Sequence, residues 1–294
     1  MNATDIAAGL GARKSGTVFV GTCPSCGYKG ALSLTERDGR TLVHCFVGCE
    51  QATVLAALRA NGLWTAERDS GLISQPRPPV RNRDAAERTT MARALWHCSQ
   101  PPEGTPVEIY LRIRRLTGPM PKTVRHLPDA RHGPTGLVFP AMICAVTRWP
   151  SEEVIAVHRT FLTADGREAP VERQKMTLGP TAGAAVRLAP AGPALAVAEG
   201  IDTALSAQEA TGLPTWAALS AGGIENLVLP SSPYASVVTI FADNDASGRG
   251  KQAADKAAAR CHAEGRRVWT ALPPSPGTDF NDVLRAADAA GGVA

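Results

Sequence analysis

Acidic side chains stand where two apolar runs end. Residues 237–248 read VVTIFADNDASG, a β-branched run leading directly into Asp243-Asn244-Asp245. Upstream, Leu195-Ala196-Val197-Ala198 leads into Glu199-Gly200, with Asp202 just beyond. Runs this apolar suit strands buried on both faces of a parallel sheet. Carboxylates at the carboxyl ends of such strands lie where open α/β sheets bind ligands. Crowded together they repel one another unless a cation neutralises them, and hard oxygen donors select magnesium or manganese. The two strand ends therefore point to one acidic site for a divalent ion, with Glu199, Asp243 and Asp245 as its carboxylates.

A second constellation is built from sulfur. Cys23-Pro24-Ser25-Cys26-Gly27 is a C-x2-C knuckle, and Cys45-Phe46-Val47-Gly48-Cys49 closes the set after 18 intervening residues. Two such pairs can meet tetrahedrally around zinc with a hairpin between them. His44 competes with Cys45, but in a strand it points to the opposite face, so Cys45 is preferred. A closed four-sulfur site leaves no open position, and the zinc is read as structural. Cys98, Cys144 and Cys261 have no partner at useful spacing and read as small core residues.

These residues must be positioned by a chain of 294 residues, enough for two modest domains or one large one. Hydrophobic content of 44% with 5% aromatics describes an aliphatic core. No apolar run approaches the roughly 20 residues that span a membrane. The amino-terminal stretch lacks the apolar core and cleavage pattern of a secretory signal. With four of seven cysteines clustered, a metal site in a reducing, cytoplasmic setting is expected. Charge is uneven: residues 1–67 sum to +1, residues 68–190 to +7 and residues 191–294 to −4. A basic middle beside an acidic metal site suits an enzyme acting on nucleic acid or nucleotides.

The pattern divides the chain at 1–67, 68–83, 84–190 and 191–294. The first part holds short strands near 16–20, 32–35 and 41–44 and a helix over 51–61. Residues 68–83 form a Pro/Arg-rich linker. The third opens on a helix at 84–98, with Ala94, Leu95 and Cys98 near one face, and continues with strands at 137–144, 154–161 and 175–178. Arg112, Arg114 and Arg115 form a basic cluster ahead of them. From 194 the period alternates: strand 194–198, helix 201–211, strand 214–219, strand 236–242, helix 248–264 and strand 267–272, the pattern of right-handed βαβ units. Asp279 or Asn281 caps a last short helix.

A strand ending in Glu199-Gly200 followed by one ending in Asp243-Asn244-Asp245 resembles the Toprim domain shared by bacterial-type primases, topoisomerases and some nucleases. With a zinc ribbon ahead and a basic segment between, the order resembles bacterial primases, especially those of phages, plasmids and mobile elements. The fold implied is α/β: a Toprim-type parallel sheet with flanking helices, preceded by a small β-rich zinc ribbon and a basic α+β subdomain. Phe139-Pro140, then Val157-His158-Arg159, then Gln174-Lys175 up to Gly179-Pro180 match the order of the family's middle region. By that resemblance Arg159 and Lys175 contact template phosphate or the incoming nucleotide. Two departures stand out. The family often has a His where this chain has Cys26, and two residues where three separate Cys45 from Cys49.

The resemblance implies primer synthesis on single-stranded DNA from nucleoside triphosphates. Magnesium or manganese on Asp243 and Asp245 would bridge triphosphate and 3′-hydroxyl, and Glu199 would either ligate a metal or act as general base. Asp202, Asp279 and Asp282 are auxiliary candidates that serve equally well as helix caps. Arg249 and Lys251 open the helix after the acids, where phosphate or solvent can meet them. No G-x-x-x-x-G-K-[ST] occurs, so a separate replicative helicase is the expected partner. A Toprim-type nuclease would use the same acids with water as nucleophile. A non-catalytic zinc-ribbon module binding single-stranded DNA would gain nothing from acids that repel phosphate.

Overall fold

The computed structural model describes residues 3–15, 18–37, 40–46, 49–64 and 83–291. The chain divides into two compact units, Met1–Val80 and Arg81–Ala294. The expected linker, apart from Arg83, lies outside the described residues, as does the start of the strand expected at 16–20.

In the first unit, helix α1 (Ala3–Gly9) precedes an antiparallel meander of β1 (Arg13–Ser15), β2 (Val18–Gly21), β3 (Leu32–Arg37) and β4 (Arg40–Cys45), closed by α2 (Gln51–Ala60). Alternation along β4 sends Val43 and Cys45 inward and leaves Leu42, His44 and Phe46 exposed. Ile6, Leu32, Leu34, Val54 and Leu58 fill the small core.

The second unit begins with α3 (Arg83–Cys98) and α4 (Pro106–Ile113), the latter capped by Thr105, whose hydroxyl accepts the Val107 amide. An antiparallel sheet follows in the order β5 (Val124–Arg131), β6 (Val138–Thr147), β7 (Val154–Phe161) and β8 (Lys175–Leu178). Helix α3 lies on β7 through Ala92, Leu95 and Trp96. The face expected from Ala94 and Cys98 is displaced: both are exposed, because Ala92 and its neighbours take the sheet side. Cys144 and Cys261 are buried, as expected of core residues.

The second sheet is mixed, in the order β13-β12-β10-β11-β9. Strands β10 (Ala194–Ala198), β11 (Thr215–Ala217), β12 (Val237–Phe241) and β13 (Arg267–Ala271) are parallel, as expected. The two-residue β9 (Val186–Arg187) adds an antiparallel edge on β11. Helices α5 (Ile201–Thr211), α6 (Ala221–Asn226), α7 (Arg249–Ala263) and α8 (Phe280–Gly291) flank it. Alternate residues of β10 feed two cores. Ala196 and Ala198 meet α5, β6 and α4, while Leu195 and Val197 meet β12 and the alanines of α7. No helix among the described residues is long and apolar enough to cross a membrane.

Candidate active site

Strands β10 and β12 are direct neighbours, with Ala198 opposite Phe241. Glu199 is one residue beyond the first, Asp243 two beyond the second, so both leave the same end of the sheet. Glu199 carries a pKa pushed up to about 7 by burial, then by the charges of Asp243 and Asp245; the Ala221 amide and Arg249 oppose the rise. Asp243 is raised too, by burial and by Asp279, against a hydrogen bond from Thr203 Oγ1 at 3.3 Å. Asp245 is the exception. Burial pushes it up, but the Ser247 hydroxyl and the Gly250 amide hold it below the usual carboxylate range.

The intervening Asn244 has another task. Its side chain donates to the Pro273 carbonyl, and its own carbonyl accepts the Gly277 amide, tying the acidic loop to the segment before α8. Helix α7 starts hard against the site: a Cβ on Gly250 would come within 2.5 Å of the Asp243 carbonyl oxygen.

Across from the acids stands Lys175. A cleft of about 320 Å³ is lined by His158, Thr160, Lys175, Glu199, Asp202 and Asp243, among others. The Lys175 ammonium donates to Asp202 Oδ2 at 2.9 Å and lies 3.4 Å from Glu168. Asp202 is not a free auxiliary acid. Tyr110 donates to the same oxygen at 2.8 Å, and Arg114 Nε approaches it at 3.7 Å. Burial opposes its ionisation, but Lys175 and Arg114 outweigh that and hold it below the usual carboxylate range. Arg114 also bonds Glu168 at 2.8 Å and covers the Tyr110 ring.

Other expected residues fall elsewhere. In the β7–β8 register Thr160 pairs with Lys175 and His158 with Thr177, so Arg159, opposite Met176, takes the other face of the sheet. There it lies over Phe161, its pKa lowered by burial and then by nearby Arg88. Arg249 is paired with Glu225 at 2.7 Å and Lys251 with Asp255 at 2.9 Å. Asp279 and Asp282 cap α8 reciprocally: each carboxylate accepts the other's amide, at 3.1 and 2.9 Å. Tyr110 and Arg114 come from α4 and its carboxyl cap, His158 from β7 and Glu168 from the loop after it, three segments that no spacing in the sequence links to Asp202. Arg114 is visible in the sequence only as part of a basic cluster, and His158 only as the neighbour of Arg159.

The chemistry of the acidic donors fits a hard divalent cation: three carboxylates, two of them raised by burial and by the charges of neighbouring acids. They do not converge on a single point, since the cysteine set is the one tight ligand group among the described residues. In that set the sulfurs of Cys23, Cys26, Cys45 and Cys49 all lie within 4.8 Å of one another, and Cys26 and Cys45 stand 3.9 Å apart. Tetrahedral zinc with Zn–S bonds near 2.3 Å places its sulfurs about 3.8 Å apart, so the residues fit the metal. Cys23 and Cys45 are buried, whereas His44 faces outward.

Residues 194–290 match the family model of the Toprim domain, and residues 86–188 match a model described as a domain of unknown function (DUF7146). No curated protein matches the chain. Among solved structures, the zinc-binding and RNA polymerase domains of the Aquifex aeolicus primase overlap 97% of this chain and 80% of theirs, at 13% identity and a TM-score of 0.46. The primase fragment of the bacteriophage T7 primase-helicase overlaps 92% and 97%, at 17% identity and a TM-score of 0.40. The RNA polymerase domain of Mycobacterium tuberculosis primase overlaps 71% and 81%, at 19% identity and a TM-score of 0.43.

Proposed function

We propose that this chain is a primase-like nucleotidyltransferase, a cytoplasmic enzyme that makes short primers on single-stranded DNA from nucleoside triphosphates. The observation that carries the reading is one cleft with acids on one wall and a fixed cation on the other. Glu199 and Asp243 leave adjacent strands of a Toprim-type sheet, and Lys175 faces them from β8.

Asp243 and Asp245 would hold magnesium or manganese, with Glu199 as a further ligand or as base. A divalent ion held by these carboxylates would supply Lewis acidity, lowering the pKa of an attacking 3′-hydroxyl and offsetting charge on a leaving pyrophosphate. A Glu199 carboxylate titrating near neutrality is poised to take the hydroxyl proton. Lys175 supplies positive charge to the triphosphate, aimed by Asp202. The amino end of α5, capped by Gly200 at the cleft wall, favours phosphate oxygens through its free amides. The zinc-bearing first unit would select where on the strand synthesis starts, and a separate helicase would supply that strand.

The test is incubation with single-stranded template, labelled nucleotides and magnesium or manganese, beside Asp243→Asn. Oligonucleotide synthesis lost in the variant supports the reading. Template cleavage instead means that water is the nucleophile and the enzyme is a nuclease. Synthesis undiminished in the variant overturns the site.

A further inference from the structure

Strand β13 is an outer strand of the mixed sheet, and β12 is its one strand neighbour among the described residues. Its inner edge is paired: the Arg267 amide donates to the Ser236 carbonyl, and the Ala271 carbonyl accepts the Ala242 amide. Backbone groups alternate in direction along a paired strand, so Arg267, Trp269 and Ala271 turn theirs toward β12. Those of Val268 and Thr270 point out of the sheet.

Proteins blunt such an edge with a bulge, a proline, a charge or a covering segment. Strand β5, at the edge of the other sheet in this unit, has several of these. It carries a register shift with Pro128 inside it, and Gln100 bridges its outer side by exchanging both backbone bonds with His126. Strand β13 runs against β12 without a shift and contains no proline, and its one charge, Arg267, stands at its start. Midway along it Trp269 is 66% exposed, the most exposed large apolar side chain among the described residues. The edge is left open.

It is also complementary to itself. When two copies pair antiparallel about a two-fold axis at Trp269, Val268 of each lies opposite Thr270 of the other. Both positions face outward, so each such pair exchanges both of its backbone bonds. Trp269 meets its own counterpart in the closer, non-hydrogen-bonded pair, where aromatic rings add stability. Arg267 falls opposite Ala271, so the symmetric register sets no like charges against each other. Two short edges and two indole rings bury well short of the roughly 1,200 Å² of a standard interface, so the contact is weak and reversible.

We propose that β13 is a docking edge for a second copy of this chain, paired antiparallel about Trp269 into one continuous sheet. Because the paired strands run in opposite directions, the carboxyl ends of β10 and β12 in the two copies lie at opposite ends of the joint sheet. Each acidic cleft stays open. The dimer does not depend on the nucleotidyl-transfer reading.

Sedimentation in reductant, from about 1 to about 200 µM, tests it on wild type, Trp269→Ser and Thr270→Pro. Wild type should pass from monomer to dimer across that range, and Trp269→Ser should weaken association at least tenfold. Thr270→Pro removes an outward amide where an edge strand tolerates proline, so it should stay monomeric with the circular dichroism of wild type. Cross-linking with oxidised glutathione reads the register. Trp269→Cys should link two copies above the wild-type background. Arg267→Cys should not, because the symmetric register holds the two copies of that position more than about 13 Å apart, beyond disulfide reach. Wild type monomeric at the top of the range overturns the proposal. It leaves the edge to another protein's strand, or to DNA if Trp269→Ser also weakens single-stranded DNA binding. Association undiminished in Trp269→Ser and Thr270→Pro, or equal cross-linking at the two positions, overturns it as well.

Discussion

The Lys175 ammonium sits 2.9 Å from Asp202 Oδ2, an oxygen shared with the Tyr110 hydroxyl. A half-exposed cation at the mouth of the cleft is thus pinned to an almost wholly buried carboxylate. Removing that charge strands Lys175, Arg114 and Tyr110 together. Asp202→Asn should cost about 3 kcal/mol, the usual penalty for breaking a buried pair, and Tyr110→Phe about 1 kcal/mol. Because the folded-state pKa of Asp202 is depressed, its contribution is complete above the unfolded value of about 3.9 and is lost as pH falls below it. Urea midpoints across pH 2 to 7 should show an acid drop that is smaller in Asp202→Asn. Equal drops in both proteins would remove Asp202 as its source.

Glu199 has the opposite sign. Its folded-state pKa, raised to about 7 by burial and the neighbouring acids, stands above the unfolded value of about 4.3. The folded chain holds the proton more tightly, so this group's contribution is full at low pH and drains as pH rises through 7. In magnesium-free buffer, urea midpoints should fall between pH 5 and 8, and Glu199→Gln should flatten that fall. Magnesium should restore the midpoint at pH 8 in wild type more than in the variant. A variant with the wild-type slope would assign the titration elsewhere.

The acids were legible because an apolar run into Glu199 or Asp243 is a local signal. Their surroundings were not. Tyr110 and Asp202 are 92 residues apart, and the burial that joins them exists only once α4, β6 and α5 share a core. Helix α4 hid behind its arginines: Val107, Tyr110 and Leu111 form its buried face, while Arg112, Arg114 and Arg115 dominate the composition. Strand β5 carries Pro128 and Asp129 at a register shift, which breaks the alternation that marks a strand. The side taken by Arg159 depends on how β7 pairs with β8, which no single strand reveals.

That register separates two basic residues expected to act alike. Lys175→Ala should weaken nucleotide binding at least tenfold, because it removes the cation facing the acids. Arg159→Ala should change nucleotide affinity less than about twofold, since Arg159 lies on the other face of the sheet over Phe161. On the proposed function template phosphate is the role left to it, and Arg159→Ala should then reduce the salt slope of single-stranded DNA binding by about 0.7 per lost phosphate contact. Nucleotide titrations and salt-dependent DNA binding on both variants decide this. Nucleotide affinity collapsing in Arg159→Ala would contradict the placement.

The cysteine site makes a prediction confined to the first unit. Its core rests on few large side chains, Ile6, Leu34 and Leu58 among them, so a bound metal should supply much of its folding energy. Purified protein should hold one zinc per chain by elemental analysis, and Cys45→Ser should hold none. Metal removal should open residues 3–64 to protease while 83–291 stay resistant. A chelated protein with an intact first unit would show that packing alone suffices.

Gly250 offers the sharpest test of how α7 serves the acids. It has no side chain to spare: a Cβ would lie 2.5 Å from the Asp243 carbonyl oxygen, and its amide donates to Asp245 at 3.1 Å. Gly250→Ala must push the first turn of α7 outward, stretching the bond to Asp245 and shifting the backbone of Asp243 together. Overpacking of this kind costs about 1–3 kcal/mol, and a displacement near 1 Å at a reacting centre costs up to about a hundredfold in rate. Gly248 is the control. It adopts φ +67° with nothing near its Cβ position, a conformation Asn tolerates. Gly250→Ala should therefore melt a few degrees lower yet lose at least tenfold in turnover, with nucleotide affinity nearly kept because Lys175 is untouched. Gly248→Asn should retain most of both. Equal turnover in the two variants would mean that the start of α7 does not position the carboxylates.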